Sequence, residues 1–278
     1  MSDASGMRHA LRGYDIIEEE EARLPLSIRE VFFNFSVYES IKVIGGVPIF
    51  LADHIERLLE SARRLELAHP YKEQLLTEAI GELIRQDHLV DTSLRVQLVG
   101  GDHPYLYVFS QNLPTYPESY YHKGVGVISY HGERVEPEVK SNALLLNYLA
   151  IRRARSEGAF EAVFIDHHGM AVEGTRSNVF GIRGDTLFTP GTGVLSGVTR
   201  KYILQVAREM GMVISYSHTS LHEVLSGFFD EYFISSTSMG ALPVRSFDKR
   251  VIGTDFPKTR ALHTAVRSIE NLYRETYC

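Results

Sequence analysis

Five short stretches hold residues whose types and spacing could do chemistry. Lys140 stands in Glu136-Pro137-Glu138-Val139-Lys140-Ser141-Asn142, between a strand-like run and an apolar helical one. A lysine at a strand end facing a cleft is partly desolvated, which favours its neutral amine and makes it a nucleophile toward a carbonyl. Glu173 closes Met170-Ala171-Val172-Glu173 just before Gly174, where a carboxylate can pair with a protonated ring nitrogen. In Ser196-Gly197-Val198-Thr199-Arg200, Ser196 or Gly197 would open a helix. The amides of Val198 and Thr199 would then lack intrahelical acceptors and suit a phosphate. Arg57 follows His54 by three residues on one helix face, and a guanidinium grips phosphate through two parallel hydrogen bonds. Ser235-Ser236-Thr237-Ser238 ends an apolar strand with hydroxyls and amides open to an anion. Each stretch has a plainer alternative: a solvated lysine, a hairpin glutamate, an ordinary helix cap, an arginine with its head in water, a polar loop. His54 is expected to pack or cap.

The elements that must position these residues follow from periodicity. Residues 31–50 alternate like two strands joined at Gly45-Gly46. Leu51, Ile55, Leu58, Leu59, Ala62 and Leu65 then recur at helical spacing, and Asp53 with Glu56 reads as a variant capping box. A second helix is expected over 72–86, then strands over 93–99 and 105–110. The polar stretch 111–124, with Pro114 and Pro117, contains the expected interdomain linker, 116–124, between a small domain (1–115) and a larger one (125–278). The larger part reads as a strand at 124–130, a helix at 143–157, short strands in EAVFID, MAVEG, NVFGI and TLFTP, and helices at 197–210 and from 257. Long helices among antiparallel-looking strands predict an α+β fold.

Composition narrows the function classes. The 278 residues carry a formal charge of −6, without a basic stripe, so nucleic acid is not an expected partner. Glu18 to Glu21 reads as a solvated edge. A single cysteine, Cys278, excludes an internal disulfide, has no metal-ligand spacing around it, and suits a reducing compartment. No metal site is expected. The start lacks an apolar signal core and no apolar run spans a bilayer, so a cytoplasmic protein without membrane contact is expected.

The order of the stretches is more telling than any one of them. Residues 38–65 (YESIKVIGGVPIFLADHIERLLESARRL), Lys140, EGTRSNVFGI (173–182), LFTP (187–190), GVLSGVTR (193–200) and STSMGALPV (236–244) together resemble the class IV aminotransferases, the fold-type IV pyridoxal phosphate enzymes. The resemblance runs over about 31 to 252. It implies a small N-terminal α/β domain, a larger C-terminal domain with a mixed sheet or barrel, and a homodimer whose sites lie between domains and are touched by the partner chain. Pyridoxal 5′-phosphate would be joined to Lys140 and would meet Glu173 at its ring nitrogen. Arg57, Ser236, Thr237 and the amides of Val198 and Thr199 would hold its phosphate. The substrates would be an amino acid and a 2-oxo acid.

Within that family the YExxK pattern of Tyr38, Glu39 and Lys42 looks like the D-amino-acid branch. The L-branched-chain pattern usually reads FEGxR, and aminodeoxychorismate lyases tend to carry threonines where Glu39 and Ser40 stand. A departure follows the strand at 93–99. The D-branch usually places an arginine and a histidine there for the substrate carboxylate, whereas VGGDHPY offers only His103. With Tyr38 on the substrate side, Arg95 and Arg176 are the cations that could serve instead. Arg176 either binds the α-carboxylate or points into the dimer interface and pairs with an acid such as Glu39. A binding protein that kept the fold and lost catalysis is a further alternative, against which Lys140 and Glu173 both stand.

Overall fold

Alternation along Ser36–Ile44 puts Val37, Ile41 and Val43 on one face and Tyr38, Ser40 and Lys42 on the other. Around this strand the first of two compact units is built. The computed structural model describes residues 8–277. One unit runs through Pro114 and takes in Val139–Ala143 and the chain from Glu270. The other comprises Thr115–Glu138 and Leu144–Ile269, so the division is not a single cut.

The first unit holds an antiparallel sheet of β1 (His9–Arg12), β2 (Asp15–Glu18), β3 (Ser36–Ile44), β4 (Val47–Pro48), β5 (Thr92–Val99) and β6 (Tyr105–Gln111), in the order β2-β1-β6-β5-β3-β4. Beside it lie α1 (Arg29–Phe32), α2 (Leu51–Arg64) and α3 (Glu73–Gln86). Val37, Ile41 and Val43 from β3 share a core with Leu51, Ile55 and Leu58 of α2 and Ile80 of α3. Ile44 pairs with Val47 across Gly45-Gly46, and positive φ at both glycines, 59° and 80°, suits a two-residue hairpin turn.

Three expectations change here. Residues 31–35 are not strand: α1 and a turn through Asn34 (φ 55°) precede β3. The helix begins at Leu51, with Phe50 in the left-handed region at φ 55° and no side-chain cap. The chain turns directly from β4 into α2, so Asp53 falls inside the first turn rather than at a capping box. The stretch 116–124 contains a helix, α4 (Glu118–Lys123), because Tyr120 and Tyr121 give it an apolar side that packs on the second unit's core. The short strands β1 and β2 have no clear sequence signal, and Glu19–Glu21 beyond them is exposed.

The second unit continues with β7 (Val125–His131), α5 (Leu145–Ser156), β8 (Glu161–Ile165), β9 (Met170–Gly174), β10 (Asn178–Arg183), β11 (Thr186–Phe188) and α6 (Val198–Glu209). There follow β12 (Val213–Ser215), β13 (Thr219–Ser220), α7 (Leu221–Ser226), β14 (Glu231–Ser236), β15 (Gly240–Phe247), β16 (Arg250–Val251) and α8 (Pro257–Thr276). The path β10-β14-β15-β7-β8-β9 returns to its start through Asn178↔Glu173, so six strands close a barrel. Parallel pairs β7–β8 and β7–β15 sit among antiparallel ones, which makes the sheet mixed and the fold α+β. Val127, Val163, Val179, Ile234 and Leu242 fill one core of this unit, and Ile203 and Ala207 of α6 pack with Phe180 and Phe233 in another.

Among the described residues no helix is long and apolar enough to cross a membrane. Cys278 and residues 1–7, on which the readings of a lone thiol and of a start without a signal core rest, lie outside the described residues.

Candidate active site

In the first unit, strand parity sends a carboxylate into the core. Glu39 lies on the same face as Val37 and Ile41 and is 0% exposed. A charge so placed persists only if it is paired. Arg57 Nε donates to Glu39 Oε1 at 2.7 Å, Arg57 Nη2 to Oε2 at 2.8 Å, and His54 Nδ1 lies 2.7 Å from Oε2. Burial pushes the Glu39 carboxyl up, but the charges and hydrogen bonds of Arg57 and His54 outweigh it and hold it well below the usual range. Burial pushes His54 down, with the Glu39 charge and hydrogen bond opposing it. Its Nε2 is buried without a hydrogen-bond partner among the described residues. His54 is therefore part of a charge network, not the packing or capping residue expected.

The other face of β3 carries Tyr38. The Arg95 guanidinium carbon lies 3.5 Å from its ring centroid and Lys140 Nζ lies 4.6 Å from it. The lysine segment is fastened to the strand: Tyr38 N–H donates to the Lys140 carbonyl at 2.9 Å, Val37 pairs with Ser141, and Lys140 N–H reaches Ser61 Oγ at 3.3 Å. Arg95 Nη2 donates to Asn142 Oδ1 at 2.5 Å, and Asn142 Nδ2 donates to Ser36 Oγ at 2.8 Å. Arg95 is pushed down by burial, with Tyr38 opposing, and among the described residues no carboxylate forms an ion pair with it. Lys42, the lysine of the YExxK pattern, is buried on Glu270 at 2.6 Å and is structural.

In the second unit the polar groups come from the ends of elements. Glu173, at the end of β9, accepts from Arg134 Nε at 2.6 Å on one oxygen and from Leu195 N–H at 3.2 Å on the other. Arg134 also donates to the Pro137 carbonyl. Gly197 opens α6 without a side-chain cap, which leaves the Val198 and Thr199 amides at the uncapped end. A Cβ at Gly197 would overlap Asn178 Oδ1, so the close approach requires glycine. Ser236 closes β14. Its hydroxyl lies 3.4 Å from that of Ser238, which meets Tyr116 at 3.0 Å, and Thr237 follows Ser236 in the turn before β15. Arg176 Nε lies 3.7 Å from Glu161 Oε2, and its guanidinium stands 5.4 Å from the Phe160 ring centroid. Its acid partner is thus Glu161. Within the chain, Glu39 is held by Arg57 and His54.

The donor sets fit pyridoxal phosphate in its parts. Each Glu173 oxygen has one named protein donor, and a carboxylate has lone pairs to accept a ring N–H besides. Within the second unit, the uncapped amides and the hydroxyls of Ser236 and Thr237 match a phosphate dianion. Sequence reasoning missed Arg134, Asn142 and Glu161. Glu161 had a signal, a single acid beginning an otherwise apolar strand. Arg134, 39 residues from Glu173, had none.

The family model described as amino-transferase class IV matches residues 36–247. The chain is 29% identical over 268 residues to a D-alanine aminotransferase of Bacillus licheniformis, covering 91% of this chain and 94% of the relative. It is 27% identical over 254 residues to a putative branched-chain-amino-acid aminotransferase of Methanocaldococcus jannaschii, covering 85% and 86%. The fold matches that of a branched-chain aminotransferase from Thermoproteus uzoniensis solved with norvaline, with a TM-score of 0.87 at 24% identity and coverage of 97% and 96%.

Proposed function

Since the chain belongs to the class IV aminotransferases, we propose that it is a D-amino-acid aminotransferase, moving an amino group from a D-amino acid to a 2-oxo acid. It is a transaminase and works with pyridoxal 5′-phosphate. Bound, that cofactor supplies an aldehyde to take the amino group and a ring to draw off electrons.

The observation that carries the transaminase chemistry is the Tyr38 ring with Lys140 Nζ and the Arg95 guanidinium both close to it. Lys140 would hold the cofactor and, as a free amine, would take the proton from the substrate Cα. Arg95, a cation without a carboxylate partner among the described residues, holds the substrate α-carboxylate, and Tyr38 orients both. Arg176, whose charge Glu161 already meets in part, is a secondary contact. Glu173 pairs with the ring nitrogen. Arg57, Val198, Thr199, Ser236 and Thr237 hold the phosphate, with Glu39 fixing Arg57 in place. The YExxK pattern supports the D-branch.

The L-branched-chain reading is second, favoured by Arg95, which falls near a substrate-facing arginine of that type. A homodimer is part of the proposal: Phe32 and Phe33 in one unit and Leu145 and Tyr148 in the other are exposed large apolar residues that association would cover. The cytoplasm is the proposed location, in keeping with a chain of one cysteine.

The test is the cofactor's absorbance in the loaded protein before and after D-alanine or D-glutamate, and separately after L-leucine. The band is expected to shift with the D-substrates only. A shift with L-leucine only would replace this reading by the branched-chain one, and no shift with either would overturn both.

A further inference from the structure

Glu161 begins β8 at 0% exposure, and no step of the proposed transfer uses it. Its neighbours supply donors. Oε1 accepts from Thr175 Oγ1 at 2.5 Å, Thr175 N–H at 3.3 Å and Ala162 N–H at 3.0 Å. Oε2 takes the Ser177 hydroxyl at 3.4 Å and faces Arg176 Nε at 3.7 Å. Thr175 N–H is shared with the Ala162 carbonyl at 3.1 Å, and the Thr175 carbonyl accepts from Asn147 Nδ2 at 2.6 Å. The loop 174–177 is closed by Gly174 N–H on the Ser177 carbonyl at 2.7 Å. A Cβ at Gly174 would overlap the Ser177 hydroxyl and press on Glu161. This loop joins Glu173 to Asn178, the pair that shuts the barrel.

We infer that Glu161 is a positioning residue, a buried carboxylate that holds the 174–177 loop in one conformation and thereby fixes Glu173 at one end of it and Arg176 within it. Three consecutive residues, Thr175 to Ser177, converge on a single side chain from the neighbouring strand. Hydrogen bonds to a buried carboxylate are stronger than neutral ones and are costly to lose. The consequence for the cofactor rests on the proposed role of Glu173; the anchoring of the loop does not.

The experiment compares wild type, Glu161→Gln and Glu161→Asp by two readouts. One is limited trypsin digestion of the cofactor-free protein, scored at Arg176 and at Arg63, an exposed arginine on α2. The other is titration of the same protein with pyridoxal 5′-phosphate. Cleavage after Arg176 in Glu161→Gln is expected to rise by about tenfold, with Arg63 unchanged, since proteolysis tracks local opening. The cofactor dissociation constant should rise by about the same factor, and Glu161→Asp, which keeps the charge on a shorter arm, should recover part of both. Equal cleavage at Arg176 in wild type and Glu161→Gln would overturn the inference. So would a parallel rise at Arg176 and Arg63, the mark of general destabilisation. Increased cleavage at Arg176 with unchanged cofactor affinity would keep the anchor and refute the role given to Glu173.

Discussion

Glu39 and Glu161 are both withdrawn from water, one in each unit, and their surroundings push them in opposite directions. Burial raises both. Around Glu39 the Arg57 and His54 charges and hydrogen bonds more than reverse that, and the carboxyl ends well below its ordinary 4.5. Around Glu161 the Thr175 hydroxyl, the half-exposed Arg176 and backbone amides reverse only part of it, and the carboxyl ends above 4.5. The difference separates two ways of building a site. The first unit spends a buried ion network to hold a guanidinium still. The second uses element ends, a strand terminus, an uncapped helix and a closed loop, and needs only one partly met acid beneath them.

The comparison breaks most sharply at Lys140, whose charge also reaches His54. Lys140→Ala is expected to lower transamination by about 10⁴-fold or more while the fold is kept; activity within tenfold of wild type in single-turnover mixing would remove the lysine from the chemistry. Next comes Glu39→Gln, which leaves Arg57 without its carboxylate. Breaking a buried pair costs about 3 kcal/mol, to be read in urea unfolding. A loss no greater than that of an exposed pair would mean that Arg57 does not depend on Glu39.

Arg95→Ala is expected to raise KM by about 100-fold with little change in stability, against tenfold or less for Arg176→Ala. Reversed magnitudes would move the carboxylate to Arg176.

The smallest effect is a pair of slopes. Glu39 has its folded pKa depressed, so its stabilising contribution is present above 4.5 and is lost as pH falls below that value. Glu161 has its folded pKa raised, so its contribution is present below 4.5 and is lost as pH rises through the folded value. The stability difference between wild type and Glu39→Gln should therefore shrink on acidification, and that between wild type and Glu161→Gln should grow. Slopes of the same sign would show that the two acids do not differ as described. His54, depressed by burial, adds a loss that begins as pH falls below 6.5, and His54→Asn should delay it.

Much of this was legible in the sequence where local physics decides. The alternation of β3, the Gly45-Gly46 turn, the apolar stripe of α2 and the small residues opening α6 each act within a few neighbours. The same alternation already placed Glu39 on the core face with Val37 and Ile41, so its need for a buried partner could have been read from parity. What was not legible depends on pairing across long separations. Asn178↔Glu173 closes the barrel only because β8, β7, β15 and β14 lie in that order. Arg134 meets Glu173, and Glu161 meets Arg176, through strands whose neighbours the sequence does not name. The start of α2 failed for another reason: the chain enters the helix through a left-handed Phe50 with no side-chain cap.

The most direct test of the central claim is to reduce the cofactor-loaded protein with borohydride and locate the added pyridoxyl group by peptide mass mapping. The pyridoxyl group is expected on Lys140. A pyridoxyl group on Lys42 or any other lysine, with Lys140 unmodified, would contradict it.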